Sequence, residues 1–485
     1  MTLQEVDYSQ QVGSAVGVAA RQTAPKNREH QGFPISTEEA IFKQLTEALG
    51  NHLASRSETA FTVVLSGEES QFTRFSSARV RQTGQVKDGQ MRLTLMTGDR
   101  TAAITLPFCG DFSTDWPLVQ ASVDQLMEEL PSLPADPYLV MPTLSQHSNP
   151  QTREVHSGRL LPQTAIANTL LSPVQGLDFA GLYAGGRAYR AYADSAGKQH
   201  WFETPSFTLD YSLFGSHANQ AVKGTLAGRH WAEQDYLQNI AATQAQLERL
   251  SQPAMSLPRG CYRTYLAPAA VADIIDTIIW GGGLGEASLR QGSSAFEKLE
   301  QGEAQLSEKF SLGEDFQRMG LPRFNDNGEI SPAQLPIIHQ GQWVNSLVNS
   351  RSAKEYGKRS NGANKDESMR APTVAPGQLK EAEILSTLET GLYVSNLHYL
   401  NWSDLSAGRM TGMTRYACFW IEGGELVAPI ENLRFDDNLY RFLGEGLVDL
   451  TCQQTFLPAV GTYDRRSLGG MWMPGMLIDQ FRYTL

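Results

Sequence analysis

The sequence predicts an α+β protein of two domains, an N-terminal α/β sheet domain and a C-terminal β-rich domain with one apolar helix. Three observations carry this. Apolar residues recur at helical spacing near 36–53, 116–130 and 232–250, between runs of β-branched and aromatic residues. Pro253 and Pro258 then punctuate the middle of the chain. Beyond them a single strongly apolar helical stretch, 269–280, is followed by strands and turns. A chain of 485 residues is too long for one ordinary core. The expected division is a polar, Gln-rich mobile tail at 1–34, a first domain at 35–252 and a second at 253–485.

Each element has a local reason. Ser36 to Glu39 reads as a capping box, the hydroxyl taking the Glu39 amide and the Glu39 carboxylate reaching back. Ile41, Leu45, Ala48, Leu49 and Leu53 then follow at helical spacing. Phe61 to Leu65 reads as a strand ending in a turn at Ser66-Gly67, and residues 72–106 read as further strands. Leu93 and Leu95 alternate with polar residues, and Thr97-Gly98-Asp99 supplies a hairpin turn. A helix from Trp116 to Leu130 presents Leu118, Val119, Val123, Leu126 and Met127 on one side. Residues 131–175, rich in Pro, Ser and Gln, read as loop with a short helix. Strands return at 178–214 about a turn at Asp194 to Gly197, and a helix at Ala232 to Leu250 closes the first half. In the second half, Asn325 to Gly328 and Gly423-Gly424 mark turns between strands.

Bulk properties exclude several classes of function. The formal net charge of −12 repels a phosphate backbone, so a duplex-wide nucleic-acid interface is not expected. One basic cluster, Arg351, Lys354, Lys358, Arg359, Lys365 and Arg370, is diluted by Glu355, Asp366 and Glu367 and reads as a solvated loop. The four cysteines, Cys109, Cys261, Cys418 and Cys452, stand far apart without a CxxC pair, as buried free thiols in a reducing compartment would. Val12 to Ala20 is short and apolar, but no Lys or Arg precedes it, so it does not read as a signal segment. Asp273 and Asp276 interrupt the most apolar helix, so no membrane span is expected. A cytoplasmic protein is the expectation, and the sequon at Asn401 carries little weight.

Motifs of chemistry are sparse. Gly281 to Leu284 and Gly285 lack a following Lys-Ser/Thr and follow a helix, so they read as a helix stop with a tight turn, not a phosphate cradle. Asn325 to Gly328 echoes a calcium loop, but Arg323 occupies the first ligand position. No two of the nine histidines are spaced four or five apart, so none forms a paired helical metal site, although distant residues could still converge. No Gly-x-Ser-x-Gly elbow is present.

From about residue 255 the order of segments resembles the C-terminal half of the TldD/PmbA (modulator of DNA gyrase) family. The pieces are Leu266-Ala267-Pro268, Gly281 to Leu284, Arg290 to Phe296, Phe324 to Gly328 leading into Leu335 to Gly341, and Thr373 to Gly377. The most specific are Gly391 to Leu397, Gly408 to Gly412 and Ile421 to Glu425; upstream, Glu69 to Leu106 is similar to the family's first sheet. The resemblance spans about 36–450. It implies a relative of metallopeptidases that carry a His-Glu-x-x-x-His helix, two imidazoles holding zinc and a Glu activating water. Counting back from Arg290 to Phe296, the matching positions run from Thr277 to Gly282. Thr277 and Gly282 replace the imidazoles and Ile278 replaces the general base. Cys452 alone cannot hold zinc.

The resemblance is therefore closest to the PmbA/TldE branch. It implies no catalytic, cofactor or metal residues in this chain, with zinc expected only in a TldD-type partner. The implied partners are that homologue or a second copy of the chain, and an unfolded peptide. Gly281, Arg290, Asn361 and Arg370 are the candidate peptide-chamber residues, with the polar stretch Ser350 to Ser368 as a possible contact. Three readings stand: a non-catalytic subunit of a peptide-processing complex, an active peptidase with an unrecognised metal or thiol site, and a stand-alone peptide-binding homodimer.

Overall fold

The computed structural model describes residues 33–54, 58–143, 150–216 and 220–484. The expected tail and the Val12 to Ala20 segment lie outside the described residues, apart from Phe33 and Pro34. The first half comprises α1 (Thr37–Leu53), β1 (Thr59–Ser76), β2 (Arg79–Thr97), β3 (Arg100–Pro107), α2 (Phe112–Glu129), β4 (Gln151–Val155), α3 (Gln163–Leu171), β5 (Asp178–Asp194), β6 (Gln199–Phe214), β7 (Ala221–Gly228) and α4 (Glu233–Leu250). Its sheet runs β3-β2-β1-β5-β6-β4, with β7 also on β6. All of its pairings are antiparallel except β4 with β6. α1 and α2 cover one part of the sheet through Phe42, Leu45, Leu49, Val119, Val123 and Leu126. α3 and α4 cover another through Ile166, Leu170, Tyr236 and Ile240.

The second half begins after residues 251–259. It comprises β8 (Gly260–Leu266), α5 (Pro268–Gly281), α6 (Glu286–Arg290), α7 (Glu297–Glu300), β9 (Leu312–Asp315), α8 (Phe316–Met319), β10 (Gln334–His339), β11 (Gln342–Trp343), α9 (Ser350–Tyr356), β12 (Pro372–Val374) and α10 (Ile384–Leu388). The remaining strands are β13 (Gly391–Asp404), β14 (Arg409–Glu422), β15 (Glu425–Pro429), β16 (Arg434–Asn438), β17 (Leu447–Pro458) and β18 (Gly470–Tyr483). The pairings β8–β13, β13–β14, β14–β16, β16–β18 and β18–β8 close a ring, which removes free edges from those strands. The fold class is the expected one, α+β with two sheets, although short helices interrupt the second half more often than the sequence suggested.

Several local expectations are corrected. There is no turn at Ser66-Gly67, because β1 runs through both and pairs with β2 and β5. Gly67 is needed there because a Cβ would run into the Tyr189 ring on the neighbouring strand. The capping box is half formed. Ser36 accepts the Glu39 amide at 3.4 Å, but the buried Glu39 carboxylate is held by Arg153 at 2.9 and 3.1 Å. A buried carboxylate gains more from a cation than from a neutral amide. Leu118 faces solvent, and α2 starts at Phe112, capped by Asp111. The 131–175 segment contains β4, whose short polar sequence gave no alternation to read. Of the four cysteines only Cys418 is buried; Cys109, Cys261 and Cys452 are exposed thiols.

Other turns stand as read. Gly98 and Gly197 take φ of 61° and 97°, and the Asp194 carboxylate accepts the Ala196 and Lys198 amides at 3.0 Å. Asn325 Oδ1 accepts the Asn327 and Glu329 amides, which fixes the turn at 325–328. The stretch 350–368 is not a solvated loop. α9 is capped by Asn349, Glu367 is buried against Ser352 and Asn349, and Lys354 reaches the Leu139 carbonyl at 2.8 Å.

Candidate functional site

α5 forms because Pro268 opens it at the first turn, where no amide bond is lost, and because Val271, Ile274, Ile275 and Ile278 recur on one face. All four are fully buried. The helix packs on β13 and β18. Gly282 ends it, and Gly283 at φ 71° turns the chain away, so the glycine run is the stop that was expected.

The opposite face of α5, with Ala269, Ala272, Asp273, Asp276 and Ile279, lines a cleft of about 810 Å³ between the two halves. Lys223 and Thr225 of β7 and Asn239 of α4 form the wall from the first half. Asn396 and His398 of β13, Arg415 and Tyr416 of β14, and residues 455–460 at the end of β17 contribute from the second. The two central strands are irregular here. The β13–β14 register shifts between Val394 and Asn396 and again between His398 and Asn401. Tyr399 and Tyr416 take φ of 52° and 63°, a strained conformation for aromatic residues. Bulges of this kind re-aim side chains beside functional clefts.

The charges are arranged unevenly. Leu397 N donates to the Asp273 carboxylate at 2.8 Å. Burial nevertheless pushes the Asp273 carboxyl up to about 7, against the lowering by that amide and by Lys223, and with Asp276 raising it further. Burial also raises Asp276. Lys223 pairs with Asp210 at 3.1 Å, which leaves it only partly available to Asp273. Burial and the Arg415 charge hold His398 below its ordinary range.

The positions matched to the zinc motif do not face this cleft. Ile278 is fully buried, Thr277 is nearly so, and the Thr277 hydroxyl donates to the Asp273 carbonyl at 2.9 Å. The Gly282 carbonyl accepts from Ala295 N at 2.9 Å. Of the four chamber candidates, Arg370 lines the cleft. Its two terminal nitrogens donate to the carbonyls of Pro322, Arg323 and Phe324 and to the Ser331 hydroxyl, while its buried Nε has no hydrogen-bond partner among the described residues. Gly281, Arg290 and Asn361 are not among the cleft walls. Gly281 lies beside the Trp402 indole. Arg290 binds Glu286 and Glu300 at 2.7 and 3.3 Å, and Asn361 ties Ser346 O to Val348 N. The sequence reading passed over Asp273 and Asp276 as cleft residues. Their signal was present: two carboxylates one turn apart, opposite the apolar stripe of an amphipathic helix.

A zinc site needs three or four converging nitrogen, sulfur or carboxylate donors. Among the described residues no three His, Cys, Asp or Glu side chains come together in this way. Cys452 is exposed and does not belong to the cleft walls. The described residues thus do not supply the donor set of a zinc site.

Two antiparallel-dominated sheets with an amphipathic helix facing a cleft between them define an α+β class shared with known structures. The chain matches the whole length of three solved structures. One is described as a modulator of DNA gyrase from Thermotoga maritima, with 11% identity, TM-score 0.72 and 91% of this chain covered. The second is TldE from Thermococcus kodakarensis, with 13% identity, TM-score 0.72 and 91% covered. The third is another protein described as a modulator of DNA gyrase, from Bacteroides thetaiotaomicron, with 14% identity, TM-score 0.73 and 93% covered. Residues 259–484 match the PmbA/TldA metallopeptidase C-terminal domain. The second half thus carries the C-terminal domain of that family, and the whole chain shares the fold of the three structures. A comparison with curated proteins returns no match. Among the described residues no helix is long and apolar enough to cross a membrane.

Proposed function

We propose that this chain is a non-catalytic, metal-free subunit of a peptide-processing complex, binding an unfolded peptide in the cleft between its two halves. The observation that carries the reading is the orientation of α5. Its cleft face offers Ala269, Ala272, Asp273, Asp276 and Ile279, whereas Thr277 and Ile278 at the motif-matched positions are buried. Two carboxylates three residues apart can bind a cationic or amide group but cannot assemble a tetrahedral zinc site. The partner in this reading is a TldD-type homologue carrying zinc, or a second copy of the chain as a peptide-binding homodimer, in the cytoplasm and without nucleic acid or membrane.

One observation favours a second reading. A cleft carboxyl raised to about 7 has the affinity for protons that general acid–base catalysis needs, so Asp273 would be the residue of an active peptidase with an unrecognised site. One experiment separates the two. The purified chain is assayed for zinc by elemental analysis and for cleavage of an unstructured peptide, alone and with a TldD-type protein. The subunit reading expects no stoichiometric zinc and cleavage only in the presence of the homologue. Cleavage by the chain alone, abolished in Asp273→Asn, establishes the second reading instead.

A further inference from the structure

A second cavity of about 490 Å³ adjoins the cleft, with Ala227, Phe456, Pro458 and Leu468 lining both. Its lining is strongly one-sided. Arg318, Arg323, Arg229, His230 and His156 face it, against a single carboxylate, Glu154, which is already hydrogen-bonded to His156 at 2.7 Å. Arg318 has no ion-pair partner among the described residues. Its guanidinium lies on the Trp472 ring at 4.0 Å and gives one hydrogen bond to Gln454 at 2.6 Å. Stacking of this kind fixes the plane of the fork while leaving other N–H groups for an acceptor. Among the described residues Arg323 makes no ion pair either, and it donates to the Ser331 carbonyl. His230 is exposed. Asp315 acts on Arg318 only at a distance, without an ion pair; on a protein of net charge −12, a pocket that gathers Arg318 and Arg323, neither ion-paired among the described residues, has the chemistry of an anion site.

We propose that this pocket is a carboxylate site, taking the C-terminal carboxylate or an acidic side chain of the peptide that lies in the adjoining cleft. The inference rests on the peptide reading given above and adds a direction to it, because a carboxylate fixed at Arg318 sets which end of the peptide extends toward Asp273 and Asp276. In this proposal one short unstructured peptide spans both cavities, which share Ala227, Phe456, Pro458 and Leu468 in their lining.

The test uses the full chain and a fluorescent unstructured peptide with an acidic C-terminal half. Four forms are compared: the parent, its C-terminal amide, the form with Asp and Glu changed to Asn and Gln, and both changes together. Loss of the bound carboxylate is expected to weaken binding about tenfold; the form that weakens identifies the source of the carboxylate. Arg318→Met keeps the stem over Trp472 and is expected to remove the discrimination. His230→Gln, at an exposed position that does not threaten folding, is expected to reduce it. Equal binding of all four forms by the parent protein overturns the proposal. If no form binds, the peptide reading fails. Titration with inorganic phosphate then decides the pocket separately: saturable binding lost in Arg318→Met supports an anion site, and absence of binding overturns it.

Discussion

Asp273 and Asp276 stand one turn apart on α5; Asp276 is exposed, whereas Asp273 is partly buried in the cleft wall, where ionisation is costly. For Asp273 the native carboxyl is raised to about 7, whereas the unfolded chain titrates near 4. Between those values the native state holds more protons than the unfolded one, so stability falls as pH rises from about 4 through about 7. Asp273→Asn removes the charge and keeps a carbonyl oxygen for Leu397 N, whose bond is 2.8 Å in the parent. The variant is expected to be more stable than the parent at pH 8, by roughly 1–2 kcal/mol after allowance for solvent in the cleft. The advantage should vanish near pH 4. Urea midpoints of both proteins at the two pH values measure this. A parent that is equally stable relative to the variant at both pH values would mean that Asp273 is solvated in the cleft.

At the scale of the element, α5 decides what chemistry the chain can host. Placing His at 277, Glu at 278 and His at 282 restores the ligand types of a zinc helix, but not at positions that open to the cleft. Ile278 is fully buried, and an unpaired carboxylate there costs several kcal/mol. A Cβ on Gly282 would lie 2.6 Å from the Ile278 carbonyl. The difficulty is this close approach and not a left-handed backbone, since Gly282 has φ −80°. The variant Thr277→His, Ile278→Glu, Gly282→His is therefore expected to lose several kcal/mol of stability and to bind zinc weakly or not at all. Tight stoichiometric zinc in a well-folded variant would show that this turn of α5 can open to the cleft.

The same helix shows what could be read beforehand. The apolar stripe at 271, 274, 275 and 278 placed α5 correctly because amphipathic period is a local property. Which turn faced the cleft depended on packing against β13 and β18, which no local pattern encodes. Gly67 and β4 failed for related reasons: one glycine answers to a ring on another strand, and one short polar strand exists only through its pairing with β6.

At the scale of the whole molecule, the two halves are fastened by the 459–469 loop between β17 and β18. Arg466 from that loop is 2% exposed and penetrates the first sheet. Its Nε donates to Ser70 Oγ at 2.9 Å, one terminal nitrogen donates to Ser206 Oγ at 2.9 Å, and the other donates to the Gly186 carbonyl at 3.0 Å. Glu68 supplies the countercharge at 3.4 Å and also accepts the Arg466 amide at 3.2 Å. Beside it, Arg465 pairs with Asp88 at 3.0 Å. The loop thus joins β1, β5 and β6 of one half to the β17–β18 hairpin of the other, alongside apolar contacts such as Tyr192 and Phe202 with Phe324. A buried ion pair with satisfied hydrogen bonds contributes little net stability over an apolar replacement, but removing one partner leaves a charge without compensation. Glu68→Gln should therefore cost about 3–5 kcal/mol, as should Arg466→Met, and the double variant should cost clearly less than the sum of the two. Because the contact joins the halves, each single variant is also expected to separate unfolding into two transitions, one for each sheet. Denaturant titrations followed by tryptophan fluorescence and by circular dichroism would show this as non-coincident curves. Additive single effects with coincident curves would mean that the loop lies on the first sheet without coupling the two halves.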